Sequence, residues 1–317
     1  MIDLHCDTLS VLYENGSEGL RKNNLAIDLE KLKKAGATAQ FFACFVDMKK
    51  FNGADKLQKS FSYALDLIRF GKKEFQKEND LICQANNYEE YAENLKKEKI
   101  SAFLTVEEGG IIGEDIAKLN KLYSEGVRLV TLCWNYENSI GYPNSKTYEI
   151  MRKGLKKFGF NVIEQMNKNK MIIDVSHLSY GGFFDVLSAS KTPVIASHSS
   201  AGALCFHPRN LTDEMIKALA NKGGICGVNY YPFFLNLKGE ATLQTLAEHI
   251  KYMINKGGEN FVALGSDFDG FSKNLPMLED ISKTERLFHA LKKLGINETQ
   301  LEKLKITNAE RIIKEIL

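Results

Sequence analysis

A chain of 317 residues, 44% hydrophobic and 26% charged, is long enough to bury one large core and shows neither the polar bias of a disordered chain nor a fibrous repeat. Its 42 Lys plus Arg against 40 Asp plus Glu leave a formal charge of +2, too weak a field for nucleic-acid binding and better suited to neutral or zwitterionic small molecules. The six cysteines are scattered, without a C-x-x-C pair, and no signal peptide or bilayer-length apolar run is present, so reduced thiols and a cytoplasmic, membrane-free protein are expected.

Along the chain, short apolar runs recur at Ile2 to His5, Ala39 to Val46, Ala102 to Val106, Leu129 to Leu132, Met171 to Val175, Val194 to Ser197, Gly224 to Val228 and Val262 to Gly265. They read as continuously apolar, as strands buried on both faces do. Helical periodicity separates most of them, as in Leu57 to Phe75 and Ala117 to Tyr123. Between Met171 and Ser197 a strand, a helix of about ten residues and a second strand form a crossover that places the strands parallel and right-handed. Eight such strands predict an α/β fold, a (β/α)8 TIM barrel, as one domain over residues 1–317. The stretch from Tyr136 to Phe160 is the longest loop-like insertion and is expected to be an active-site loop followed by a helix. Lys96, Lys97 and Lys99 lie among glutamates and read as solvated helix surface.

Chemistry-bearing residues gather where these strands end. His5 and Asp7 close the first run, and because residues i and i+2 of an extended chain point the same way, both are expected to converge on one metal. His177 and His198 follow two successive runs, so neighbouring parallel strands, roughly 5 Å apart, would stand their imidazoles side by side. Glu107 and Glu108 follow the third run, where a carboxylate can bridge two cations and offset their repulsion. After the last run, Asp267 or Asp269 is placed to act as acid/base; the Asp-x-Asp-Gly there lacks the further ligands of a calcium loop. His249 and His289 fall in helical patterns and read as surface or satisfied core residues, while His207 lies near His198 and is a candidate for touching substrate.

Other chemistries fit less well. No Gly-x-Ser-x-Gly elbow occurs, and Ser197 or Ser199 beside His198 lacks a third partner, so a nucleophilic serine is not expected. Gly109, Gly110 and Gly113 match neither a dinucleotide fingerprint nor a P-loop.

Taken in order, Ile2 to Asp7, Glu107 to Gly110, Asp174 to His177, Ser197 to Ala201, Gly265 to Gly270 and Asn308 to Arg311 resemble the motifs of the membrane (renal-type) dipeptidases and their bacterial relatives, within the amidohydrolase-like metal hydrolases. The resemblance runs over nearly the whole chain. It implies two zinc ions, one held by His5 and Asp7 and the other by His177 and His198, with a glutamate bridging both. Glu107 is the choice for the bridge, since Val106 precedes it and the spacing to Gly126-Val127-Arg128 fits the family without a gap; Glu108 is the fallback. The resemblance further implies Asp267 as acid/base, Arg209 as the anchor of the substrate carboxylate, a dipeptide substrate and a homodimer. One departure stands out. Mammalian members carry a histidine that helps to hold the scissile carbonyl where this chain has Trp134, and an indole donates one hydrogen bond but cannot become a cation. Trp134, Asn135 or a metal must then supply that contact, or the substrate range differs. Hydrolysis of a β-lactam or another cyclic amide on the same scaffold, and a metal-binding homologue without catalysis, are the competing expectations.

Overall fold

A computed structural model describes residues 1–16, 19–271 and 277–317. Nine strands, β1 (Ile2–Cys6), β2 (Ala39–Phe45), β3 (Ile82–Gln84), β4 (Ile100–Glu107), β5 (Val127–Thr131), β6 (Ile172–Asp174), β7 (Ile195–Ser199), β8 (Ile225–Val228) and β9 (Val262–Leu264), pair in parallel. Eight of them close a barrel in the order β1-β2-β4-β5-β6-β7-β8-β9, because β2 pairs directly with β4 and β9 returns to β1. The predicted (β/α)8 barrel is therefore the observed fold, and the eight apolar runs are its eight staves. The ninth strand, β3, had no counterpart among those runs. It is three residues long, too short to show a pattern, and lies against the first part of β4 just ahead of the point where β5 takes over the pairing at Leu104 and Val127.

Alternation along the strands sorts residues between two cores. Ile2, Leu4, Ala39, Phe41, Phe103, Leu129, Ile172, Ile195, Ile225 and Ala263 form the barrel's inner cluster, joined by Ala309, Ile312, Ile313 and Ile316 of the C-terminal helix Asn308–Ile316. Their intervening neighbours, such as Phe42, Leu104, Val130, Ile173, Ala196 and Leu264, belong to the larger cluster that also contains Leu67, Leu119, Val162, Phe183, Ile216 and Ile250 of the surrounding helices. Two residues further along the inner face the character changes. Thr105 and Glu107 follow Phe103, Thr131 follows Leu129, Asp174 follows Ile172 and Ser197 follows Ile195, all buried. The barrel interior thus turns from apolar to polar toward the carboxyl ends of its strands, the end at which barrel enzymes place their sites.

Two seams in the barrel are thin. Between β6 and β7 the register holds one pair, Asp174 with Ile195, and between β1 and β9 one pair, Asp3 with Leu264. Each is reinforced by a buried aspartate that accepts both the backbone N–H and the hydroxyl of one serine. Ser197 donates to Asp174 at 2.8 and 2.6 Å, and Ser266 donates to Asp3 at 2.8 and 2.6 Å. A typical hydrogen bond contributes about 0.5–1.5 kcal/mol net, so these contacts stand in for missing ladder bonds.

Gly227 and Gly265 complete the close approach of β7, β8 and β9. A Cβ on either would lie 2.1 or 2.0 Å from the Ser197 carbonyl oxygen. Backbone cannot yield as a flexible side chain can, so Gly265→Ala should lower the stability to urea by on the order of 1–3 kcal/mol or more. Unfolding followed by tryptophan fluorescence checks this; an unchanged midpoint would show that β7 is not approached so closely.

Candidate metal centre and active site

The irregularities of two strands aim the histidines. Strict alternation would class His5 with Asp3 and His198 with Ala196, off the face that holds Leu4 and Ile195. The register shifts between Asp3 and Cys6 in β1, and between Ala196 and Ser199 in β7, and such bulges re-aim side chains at barrel rims. The two rings stack at 3.9 Å between centroids. Asp7 arrives differently from the i, i+2 expectation. It has left the extended conformation (φ −98°, ψ 10°) and stands just before the helix Thr8–Asn15 without a side-chain capping bond, and its Oδ2 lies 3.6 Å from His5 Nε2. His177 follows the end of β6 by three residues, on a turn that puts it at φ 67°.

Glu107, the last residue of β4, stands among these groups. Its Oε2 lies 3.5 Å from His5 Nε2, and its Oε1 lies 3.1 Å from His177 Nε2 and 3.4 Å from His198 Nε2. Glu108 points elsewhere and accepts hydrogen bonds from Gly110 N (2.6 Å), Asn138 Nδ2 (2.6 Å) and Trp134 N (3.1 Å), holding the loop after β5. The two carboxylates that sequence left as alternatives thus occupy different environments, and only that of Glu107 contains the histidines.

A similar division separates the two aspartates after β9. Asp267 Oδ1 lies 3.8 Å from His5 Nε2, while its Oδ2 accepts from Asn229 Nδ2 at 2.9 Å. Asp269 instead accepts from Thr8 Oγ1 and Ala26 N, each at 2.7 Å, and so ties the loop before the second helix to the rim. Six non-glycine residues have positive φ among the described residues, and Glu108, His177, Asp267 and Asp269 are four of them. Backbone strain is concentrated at the rim, as it is at functional sites generally.

The charges are poorly balanced by protein alone. Burial disfavours a charged His5, but the Glu107 and Asp7 carboxylates more than reverse this and raise its pKa well above the usual value. Burial lowers His177 to about 4, with Arg209 adding to the effect, and burial together with His5 holds His198 well below its ordinary value. Asp267 is pushed up to about 7 by burial and by Asp7 and Glu107, against the opposing charge of His5. Both nitrogens of His5, Asp7 Oδ1 and Glu107 Oε1 are buried without a hydrogen-bond partner. Two groups, His5 with Glu107 and His198, and His5 with Asp7 and Asp267, place their ligand atoms within 4.8 Å of one another. Imidazole nitrogens and carboxylate oxygens at such spacing suit a borderline divalent cation such as zinc.

Around this centre, Arg209 is buried, donating from Nη2 to the His198 carbonyl (2.8 Å) and from Nη1 to Ser199 Oγ (3.2 Å), while its Nε has no partner. The guanidinium lies over Phe234, which also packs on the half-buried His207. Trp134 lies against Phe45 (4.7 Å), Tyr136 (5.3 Å) and His177 (6.2 Å), forming an aromatic wall that spans the rim from β2 to β5. Asn135 Oδ1 is 2.9 Å from His177 Nδ1, so this side chain is tied to the histidine. His249 is a satisfied core residue bonded to Ala201 N and the Leu235 carbonyl, and His289 lies exposed on its helix.

Sequence reasoning did not find Asn229 or the Asp174–Ser197 contact. Both belong to the site through tertiary neighbours 38 and 23 residues away, a separation that no local motif spans. Ser197, His198 and Asp174 do meet, but in the wrong order for a nucleophilic serine: the carboxylate touches the hydroxyl rather than the imidazole, and Ser197 is fully buried.

The chain is similar to known proteins in sequence and in fold. The membrane dipeptidase family (Peptidase family M19) matches residues 1–317. An uncharacterized dipeptidase of Schizosaccharomyces pombe is 33% identical over 300 residues, covering 91% of this chain and 71% of that protein. The dipeptidase tcpJ of Claviceps purpurea is 29% identical over 300 residues, covering 92% and 69%. Among solved structures, a dipeptidase described as a metallopeptidase of family M19 superposes with a TM-score of 0.90 at 25% identity, over 99% of this chain and 98% of that one. A Rhodobacter sphaeroides metallopeptidase, solved with a phosphinate mimic of the dipeptide L-Ala-D-Ala, shares the fold with a TM-score of 0.89 at 23% identity, over 100% and 99%. With its barrel, its rim of histidines and carboxylates and a family match over residues 1–317, the chain belongs to the membrane dipeptidase family, Peptidase family M19.

Proposed function

We propose that this protein is a zinc-dependent dipeptidase that uses two divalent cations, one at His5 and Asp7 and one at His177 and His198, with Glu107 shared between them. One observation carries the reading: the two oxygens of Glu107 face different histidines, Oε2 toward His5 and Oε1 toward His177 and His198, among buried atoms that lack a hydrogen-bond partner. When bound there, two such ions supply Lewis acidity and lower the pKa of water toward neutrality.

The protein's own residues do the rest. Asp267 is held through Oδ2 by Asn229, which leaves Oδ1 on the side of His5 to take up and release a proton. From that position it accepts a proton from the attacking water and gives it to the departing amine. Arg209 sits on the β7 side of the rim, where its Nε–H lacks an acceptor, which a free α-carboxylate would supply. Trp134 closes the opposite side as a wall against the substrate. An anchor at one end and a wall at the other favour short peptides with a free carboxylate.

The bridge is tested by metal content. Glu107→Gln should remove most of the bound zinc, because only that carboxylate faces both sets of histidines. Glu108→Gln should keep the metal while loosening the loop around Trp134 and Asn138. Elemental analysis of the two variants decides; comparable, small losses in both would displace the bridge from Glu107.

The substrate class is tested at Arg209. Arg209→Ala should reduce kcat/KM for a dipeptide by on the order of 2–5 kcal/mol in transition-state stabilisation. The C-terminal amide of the same dipeptide should already be a poor substrate and should lose far less on the substitution, since both changes remove one interaction. Equal fractional losses on acid and amide would mean that Arg209 acts only through its packing against His198 and Ser199.

A further inference from the structure

A neutral imidazole carries one proton, and it binds a cation through the nitrogen that lacks it. Which nitrogen is bare depends on what the other one meets. At His198 the answer lies in the buried contact that holds β6 to β7. Asp174 is surrounded by donors: Ser176 N at 2.9 Å and Ser197 N at 2.8 Å on Oδ1, with Thr131 Oγ1 and Ser197 Oγ, each at 2.6 Å, on Oδ2. The carboxylate accepts, so the Ser197 hydroxyl proton is committed to it. Only a lone pair of Ser197 Oγ is left for His198 Nδ1, 2.8 Å away, and that nitrogen must donate. His198 Nε2 is then bare. It faces Glu107 and lies 3.0 Å from His177 Nε2, whose ring is set the same way by the carbonyl oxygen of Asn135 at Nδ1. Two lone pairs at that distance repel unless a cation lies between or beside them.

We propose that Ser197, oriented by Asp174, is a positioning residue that fixes His198 with its proton on Nδ1 and its Nε2 free for the metal; this rests on the reading of the rim as a metal centre. The fold supplies its own control. Asp3 and Ser266 make the same pair of bonds at the β1–β9 seam, but Ser266 Oγ reaches only the backbone of its histidine, the His5 carbonyl at 3.3 Å, and His5 Nδ1 has no partner. One contact therefore holds strands together, while its counterpart also sets a ring.

The chain's single tryptophan, Trp134, lies 6.2 Å from the His177 ring, so quenching of its fluorescence by bound Co2+ reports occupancy on this side of the centre. Starting from metal-free protein, Ser197→Ala should weaken Co2+ binding by about 10–100-fold. Ser266→Ala should lower stability to urea and leave the Co2+ affinity unchanged. Equal weakening in both, or unchanged affinity in Ser197→Ala, would overturn the assignment and leave Ser197 a structural residue. The unaltered protein gives a second decision that needs neither folding of the variant nor metal: 15N spectra of the metal-free chain should show the His198 proton on Nδ1, and a proton on Nε2 would overturn the proposal. Failure of the unaltered protein to bind Co2+ at all, with the Nδ1 proton in place, would instead remove the metal-centre reading while upholding the role of Ser197 in setting the ring.

Discussion

Two buried aspartate–serine contacts hold this barrel where its own ladders are thinnest. Parallel strands need an unbroken set of slanted hydrogen bonds to stay in register, yet β6–β7 and β1–β9 offer one register pair apiece. Asp174 gathers the N–H and hydroxyl of Ser197 on the facing strand, and Asp3 those of Ser266 just past the facing strand. A buried carboxylate is costly unless its lone pairs are filled, and the surrounding donors fill them. Burial still pushes Asp3 upward in pKa against the Ser266 bonds, a sign of how much desolvation those bonds must offset. Each serine directly precedes a residue of the rim, His198 or Asp267, but only Ser197 also touches the ring of a rim histidine, His198.

From these contacts the rest of the centre follows by neighbourhood. Closing the barrel brings the ends of β1, β4, β6, β7 and β9 around one point, and the irregular steps in β1 and β7 turn His5 and His198 toward it. Three acidic groups, Asp7, Glu107 and Asp267, then lie within 4 Å of a single imidazole, at 3.6, 3.5 and 3.8 Å. Such crowding of like charges in a buried site is unfavourable in a protein left to itself. It is resolved by protons, which the raised pKa of His5 and Asp267 reflects, or by cations, which match the atoms that the protein leaves without hydrogen-bond partners. The left-handed backbone of Glu108, His177, Asp267 and Asp269 belongs to the same economy of constraint: side chains are placed for the site at the expense of local comfort.

What the amino-acid sequence determined by itself was everything carried by local pattern. Continuous apolar runs of strand length, spaced by amphipathic segments, specify eight parallel staves, and histidines or carboxylates just past them specify a rim, because both signals are periodic and local. Tertiary structure alone decided what depends on neighbours distant in the chain or on a single turn of backbone. Glu107 and Glu108 are adjacent and chemically alike; family spacing favoured Glu107, and the direction of each carboxylate, one toward three histidines and the other toward Gly110, Trp134 and Asn138, gives them different surroundings. Asp267 and Asp269 part in the same way, one toward His5 and the other toward Thr8 and Ala26. The short β3, the bulges that aim His5 and His198, and the hold of Asn229 on Asp267 and of Ser197 on His198 leave no periodic trace in the chain. Hydrogen bonds between residues dozens of positions apart exist only once the barrel has closed, and it is closure that makes them.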